Sequence, residues 1–187
     1  HLDVTDFTEA HATKTKELAA KHGVAITALG YYPNPLCADE AEASVYLEHL
    51  KKLISAAREL GLKNVNTFIG RDPARSVEAN WPLFEARWPA VVRHAEQCGV
   101  RIGIENCPMY FTKDEWPGGR NLAISPKIWR EMFRRLPTNN LGLNYDPSHA
   151  VWQFMDAAKH VRDFADRIFH VHAKDAKIAR EKLDDCG

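Results

Sequence analysis

No stretch of this sequence stays apolar for the roughly 20 residues that a bilayer-spanning helix needs, so no membrane partner is expected. Neither sign of charge prevails, since 25 Lys and Arg stand against 25 Asp and Glu. Without a basic surplus, no nucleic-acid partner is expected either. Cysteine is scarce: Cys37, Cys98, Cys107 and Cys186 show no close pairing and no C-x-x-C spacing. That speaks against a Cys-rich structural zinc site and suits reduced thiols in a cytoplasmic protein. No G-x-G-x-x-G and no phosphate-cradling P-loop follows any apolar run, which weakens a nucleotide-binding sheet. The opening residues, HLDVTDFTEAH, lack the basic and apolar regions of a signal peptide. With no initiator methionine, and with KLDDCG closing soon after an apolar run, the sequence reads as a segment of something longer.

What is present is a regular alternation. Apolar residues recur at helical spacing over residues 6–22, with Thr5 or Asp6 as cap and Phe7, Ala10, Leu18 and Ala19 as the apolar stripe. They recur again over 39–60, where Val45, Leu47, Leu50, Leu53, Ile54, Ala57 and Leu60 keep the period and Gly61 marks the stop. A third helix is expected from 77 or 81 to 97, with Pro82 and Pro89 bending or dividing it. Ser125-Pro126 opens a fourth that runs to 136, and a short one covers 156–165. Between them lie five apolar runs, at 24–29, 64–69, 101–105, 141–146 and 168–173. Their spacing is that of βα units, and their apolar density suits parallel strands covered on both faces. Five strands do not close a barrel, and a full one takes about 250 residues. The expectation is an α/β fold: an incomplete (β/α)8 TIM barrel of about five parallel strands, with residues 1–187 as a single domain.

Three successive runs end in a group able to hold a metal: Glu105 after RIGI, Asp146 after GLNY, and His172 in IFHVHAKD. Parallel α/β folds place their sites at such C-terminal strand ends. Each residue also has a plain structural reading. Glu105 suits a loop cap, Asp146 an Asx turn before Pro147, and His170, two residues before His172, a core histidine. Their coincidence favours a shared ion. Two carboxylates and an imidazole without thiolate suit Mn²⁺, Mg²⁺, Co²⁺ or Zn²⁺. Such a site does Lewis-acid chemistry, with Glu105 as both ligand and base. His149 is expected to hold a substrate oxygen, its alternative being a helix-start residue. Asn106, Lys174 and Trp152 are further candidate substrate contacts. His1, His11, His22, His49, His94 and His160 are expected to be solvated. The long loop at 107–124, with Tyr110, Phe111 and Trp116, is expected to shape the pocket.

The motifs GIEN, GLNYDPSH and FHVHAKD, in this order and spacing, resemble the sugar phosphate isomerase/epimerase family of xylose isomerase-like TIM barrels over about residues 24–175. The resemblance implies a metal-dependent isomerase or epimerase acting on a sugar or polyol by proton transfer through an enediolate. It carries over Glu105, Asp146 and His172 as metal ligands and His149 as a contact to substrate or metal. It also implies a fourth ligand, a glutamate on an eighth strand, with no counterpart before Gly187. Glu181, Asp184 and Asp185 follow no strand pattern. The first two strands of the full barrel are likewise expected to be absent. Alternatives with the same ligands are a dehydratase on an inositol-like ketone and a non-catalytic sugar-binding barrel. A DNA-repair endonuclease of the same superfamily fits worse, because no histidines follow the strand ends at Gly30 and Gly70. A homo-oligomer remains open.

Overall fold

Along Arg101–Glu105 the residues divide by chemistry: Ile102 and Ile104 point one way, Gly103 and Glu105 the other. Leu141–Tyr145 repeats the division, with Leu141, Leu143 and Tyr145 on one face and Gly142, Asn144 and the following Asp146 on the other. In the computed structural model, which describes residues 2–109 and 119–186, these strands lie side by side in one parallel sheet. The strands are β1 (Leu29–Gly30), β2 (Asn64–Thr67), β3 (Arg101–Glu105), β4 (Leu141–Tyr145) and β5 (Ile168–Val171), in spatial order β1-β2-β3-β4-β5. Both faces of β3 and β4 are buried, as expected, but only the helix-covered face is apolar. The inner face is small and polar, and alternation is therefore kept. The sheet is an open half-barrel, and its curvature brings Thr27 Oγ1, just before β1, within 3.2 Å of His170 Nε2 on β5.

Two glycines let the inner face close up. A Cβ at Gly103 would lie 2.7 Å from Asn66 Oδ1, and one at Gly142 would strike the Arg167 carbonyl and the Phe169 ring. Between β4 and β5 the register slips by one residue, so Leu143 faces Ile168 but Asn144 faces His170. This bulge re-aims the end of β5 and sets His170 opposite Asn144.

Helices cover the apolar face. They are α1 (Glu9–Lys21), α2 (Glu40–Leu60), α3 (Val77–Cys98), α4 (Pro126–Arg135), α5 (Pro147–Trp152), α6 (Ala157–Asp163) and α7 (Leu183–Cys186), the last preceded by a 3-10 turn at Arg180–Lys182. Asp39 caps α2 by accepting from the Glu42 amide at 2.9 Å, and Ser76 caps α3 through the Ala79 amide at 3.1 Å. Both helices stop at a glycine in the left-handed region, Gly61 and Gly99.

Several expectations need correction. Thr8, not Thr5 or Asp6, caps α1, because its hydroxyl and the His11 ring form a reciprocal capping pair. The buried residue of α1 is Ala12, while Leu18 faces solvent. Val45 on α2 is also exposed, since the buried stripe starts at Ala43 and resumes at Leu50. Residues 24–28 are not strand: β1 has a single neighbour, β2, and only Leu29 and Gly30 pair with it. The prolines do not divide α3. Pro82 sits on its solvent face, while Trp81, Phe84, Trp88, Val91, Val92 and Ala95 hold one continuous stripe on the core. Packing there outweighs the missing amide donors. The sequence did not show α5, α7 or the 3-10 turn.

Candidate functional site

The end of β4 is built from both sides. Behind it, the Tyr145 ring meets Trp129 edge-on at 6.0 Å, and its hydroxyl lies 3.1 Å from His160 Nδ1. His160 is thus buried, contrary to the expectation that it is solvated. Its edge-on contact with Trp129 at 5.2 Å, a ring that also meets Phe164, makes it a core residue of α6. His94 and His49 are half-buried too, His94 against Ser55 Oγ at 2.8 Å and His49 against the Tyr31 ring at 4.5 Å. Burial pushes the Tyr145 hydroxyl up to about 12, with the Asp146 and Asp156 charges adding to the effect, so it stays a neutral donor.

In front, Asp146 turns the chain. It caps α5: its Oδ1 accepts from the Ser148 amide at 2.9 Å and from Ser148 Oγ at 2.6 Å. Its other oxygen, Oδ2, is buried without a hydrogen bond. Three groups surround that oxygen: Lys174 Nζ at 3.2 Å, His149 Nε2 at 3.4 Å and His172 Nδ1 at 3.7 Å. Glu105 Oε1, from the end of β3, lies 3.4 Å from His172 Nδ1 and 3.9 Å from His149 Nε2. His172 is oriented from behind, since its Nε2 meets the Asn144 amide nitrogen at 3.1 Å and Nδ1 is left facing the carboxylates.

The two carboxyls are driven apart. Burial raises Glu105, and the adjacent Asp146 charge adds to this against the lowering influence of His172 and Lys174. Burial also acts upward on Asp146, but the Ser148 hydroxyl, His149, Lys174 and the Ser148 amide together outweigh it and hold its carboxyl low. The result is one committed anion beside one carboxyl ready to exchange a proton. Burial lowers His149, outweighing the opposing pull of Asp146, and keeps the ring neutral.

The structure therefore gathers Glu105, Asp146, His172, His149 and Lys174 in one place. Ligand atoms of Glu105, Asp146 and His172 all lie within 4.8 Å of one another, as do those of Glu105, Cys107 and His149. Among the described residues these are the groupings able to hold an ion, and Glu181 and Asp184 join neither. An acceptor as deeply buried as Asp146 Oδ2, lacking a hydrogen bond beside a second carboxylate, fits a divalent cation.

Asn106 and Trp152 adjoin this cluster, each bonded to one of its residues. Asn106 is buried, donating Nδ2–H to the Asp146 carbonyl at 2.9 Å and accepting from the Asp146 amide at 2.7 Å. Trp152 donates its indole N–H to His149 Nδ1 at 3.1 Å. Tyr110, Phe111 and Trp116 fall outside the described residues.

Sequence reasoning missed a series of asparagines that tie the strand ends together. Asn34 bonds the backbone of Arg71 through both ends of its amide, at 2.7 and 2.8 Å. Asn121 donates to the Glu105 and Cys107 carbonyls at 2.8 and 2.7 Å and accepts from the Ile69 amide at 3.2 Å. Each lies in a loop after a strand, and that position was the only signal available. Tyr32 was also missed. Its hydroxyl accepts from Asn144 Nδ2 at 3.3 Å, and its ring packs on Phe68 at 4.9 Å. Tyr32 forms one wall of a cleft of about 520 Å³, bordered also by Asn34, Glu42, Phe68, Asp72 and Arg120.

Similar proteins agree with this arrangement at the level of fold. YfiH of Bacillus subtilis (strain 168), itself an uncharacterized protein, is 28% identical over 209 residues, covering 96% of this chain and 61% of its own length. A solved D-tagatose 3-epimerase-like protein superposes with a TM-score of 0.71 at 24% identity, over 91% of this chain and 63% of that one. AsbF of Bacillus anthracis, described as a probable 3-DHS dehydratase of petrobactin synthesis, gives 0.71 at 18% identity, over 92% and 59%. The chain thus spans less than two thirds of the length of each. The family model of the xylose isomerase-like TIM barrel matches residues 1–185, and the chain belongs to that family.

Proposed function

We propose that this chain contributes the metal-binding and proton-transfer face of an isomerase or epimerase for a sugar or polyol. The observation that carries the reading is the convergence of Glu105, Asp146 and His172 within 4.8 Å, from the ends of three successive strands. Glu105, Asp146 and His172 would hold the ion, and their O,O,N donor set suits Mn²⁺, Mg²⁺, Co²⁺ or Zn²⁺. When bound, the ion would polarise a substrate carbonyl and favour loss of the neighbouring C–H proton. Glu105 takes that proton, the role for which a buried carboxyl with a raised proton affinity is suited. His149 and the exposed ammonium of Lys174 bond substrate oxygens at the rim, and the cleft behind Tyr32 receives the rest of the molecule.

The D-tagatose 3-epimerase-like neighbour supports ketohexoses as first substrates to try. The test is exchange of carbon-bound hydrogen of D-tagatose or D-fructose with deuterated water, in the presence of Mn²⁺, followed by NMR. Exchange that vanishes in Glu105→Gln supports the reading, and undiminished exchange removes Glu105 as the base. Elimination is the second reading, favoured by Lys174, whose ammonium can protonate a departing hydroxyl. A product lighter by one water in mass spectrometry would select it.

A further inference from the structure

Two ring nitrogens of His149 face two different environments, and their difference determines the ring's chemistry. Nδ1 meets the indole N–H of Trp152 at 3.1 Å. Nε2 faces the carboxylates, 3.4 Å from Asp146 Oδ2 and 3.9 Å from Glu105 Oε1, and has no hydrogen-bond partner. The indole is a donor only, so Nδ1 must present its lone pair. A neutral imidazole carries a single hydrogen, which is then on Nε2. His149 and Trp152 lie three residues apart on α5, the spacing that puts side chains on one helix face, and their rings meet edge-on at 6.2 Å. Gln153 donates to the His149 carbonyl at 2.6 Å and holds the last turn of α5 in place.

We infer that Trp152 is a positioning residue, which fixes His149 in the tautomer with hydrogen on Nε2 and so makes it a hydrogen-bond donor into the site. The inference rests on the proposed function only for the identity of the acceptor, a substrate oxygen. While Trp152 holds its Nδ1, His149 has no lone pair to offer an ion.

The direct test needs no substrate. In the full chain with ¹⁵N-labelled histidine, long-range ¹H–¹⁵N spectra at neutral pH distinguish a protonated ring nitrogen from a bare one. The His149 signals are identified by their loss in His149→Gln. A hydrogen on Nε2 in the unaltered protein is expected, and a hydrogen on Nδ1 overturns the inference. Trp152→Phe keeps the ring and removes the N–H, and a mixture of both tautomers is expected. An unchanged Nε2–H population in a folded Trp152→Phe protein also overturns it. If that variant does not fold, the spectrum of the unaltered protein decides alone. Calorimetry with Zn²⁺ gives the second readout. Trp152→Phe and Cys107→Ser should each change affinity by less than about tenfold, because neither alters a ligand, whereas a larger loss in either returns His149 or Cys107 to the ligand set. Proton exchange on a sugar is not used in either arm, so failure of the proposed reaction leaves the tautomer result standing.

Discussion

Two aspartates of this chain share a local design and differ in what surrounds them. Asp72 and Asp146 both follow a strand, both precede a proline, and both are buried. Each accepts, through Oδ1, the amide two residues on: Ala74 at 3.0 Å and Ser148 at 2.9 Å. At Asp72 the second oxygen is also satisfied, by Arg75 Nε at 2.9 Å. At Asp146 the second oxygen has no hydrogen bond and points into a cluster of two histidines, a lysine and a glutamate. The first completes a turn. The second is a turn whose remaining acceptor meets a charge, the Lys174 ammonium at 3.2 Å, in place of a fixed hydrogen bond, and that oxygen is a candidate ligand.

The largest effect should come from removing that acceptor. Asp146→Asn is expected to weaken Mn²⁺ or Zn²⁺ binding by about 100-fold or more, whereas Asp72→Asn should leave binding unchanged and destabilise the fold by about 1–3 kcal/mol. Equal loss of metal affinity in the two variants, measured by calorimetry, would erase the distinction. Absolute affinity bears on the same point: with three ligand atoms gathered, the 187 residues are expected to bind Mn²⁺ weakly. Tight stoichiometric binding would mean that a further ligand lies within the chain.

Glu105 sharpens the contrast from the opposite direction. Its raised proton affinity means that its contribution to stability is present below the ordinary 4.5 and is lost as pH rises through the folded value. At neutral pH the buried charge therefore costs stability. Glu105→Gln should raise the melting temperature of the metal-free protein while lowering its affinity for the ion. A fall in melting temperature would mean that the carboxylate is held by more than the structure shows.

Asn106→Leu leaves the Asp146 amide unpaired, removes a bond to its carbonyl, and should destabilise by about 1–3 kcal/mol in urea unfolding. A result near zero would mean that this pair of bonds does not fix the end of β4. The smallest effect is on pH dependence. Burial is the leading cause that holds His149, His160 and His170 below the ordinary 6.5. The unfolded chain takes up protons there first, so stability is complete above 6.5 and falls as pH drops below it. The urea midpoint should be lower at about pH 5.5 than at about pH 7.5, and His160→Phe should flatten the difference.

Much of this was legible in the amino-acid order. The five apolar runs, the two glycine-stopped helices and the three strand-end groups all follow from local rules: period, caps and the position of a carboxylate after a strand. The misreadings share a cause. Val45 and Leu18 keep a helical period yet face solvent, because periodicity names a face without saying how much of it a neighbour covers. Residues 24–28 have strand composition, but pairing needs a partner backbone, and β2 takes no register partner from them, only Leu29 and Gly30. Likewise α5 is six residues long, too short for a period to show, and it is held by the Asp146 cap and by Gln153.

By itself, then, the sequence determined the order of strands and helices and the residue types at each strand end. Those depend on contacts a few residues apart. Only the tertiary structure decided which polar groups are satisfied. Asp72 is completed by its own neighbour Arg75, three residues on, whereas around Asp146 the neighbour at that position is His149 and the other groups, Lys174 and His172, come from the end of β5. Which donors reach Asp146 Oδ2 therefore depends partly on another strand, and desolvation makes each missing bond costly enough to matter.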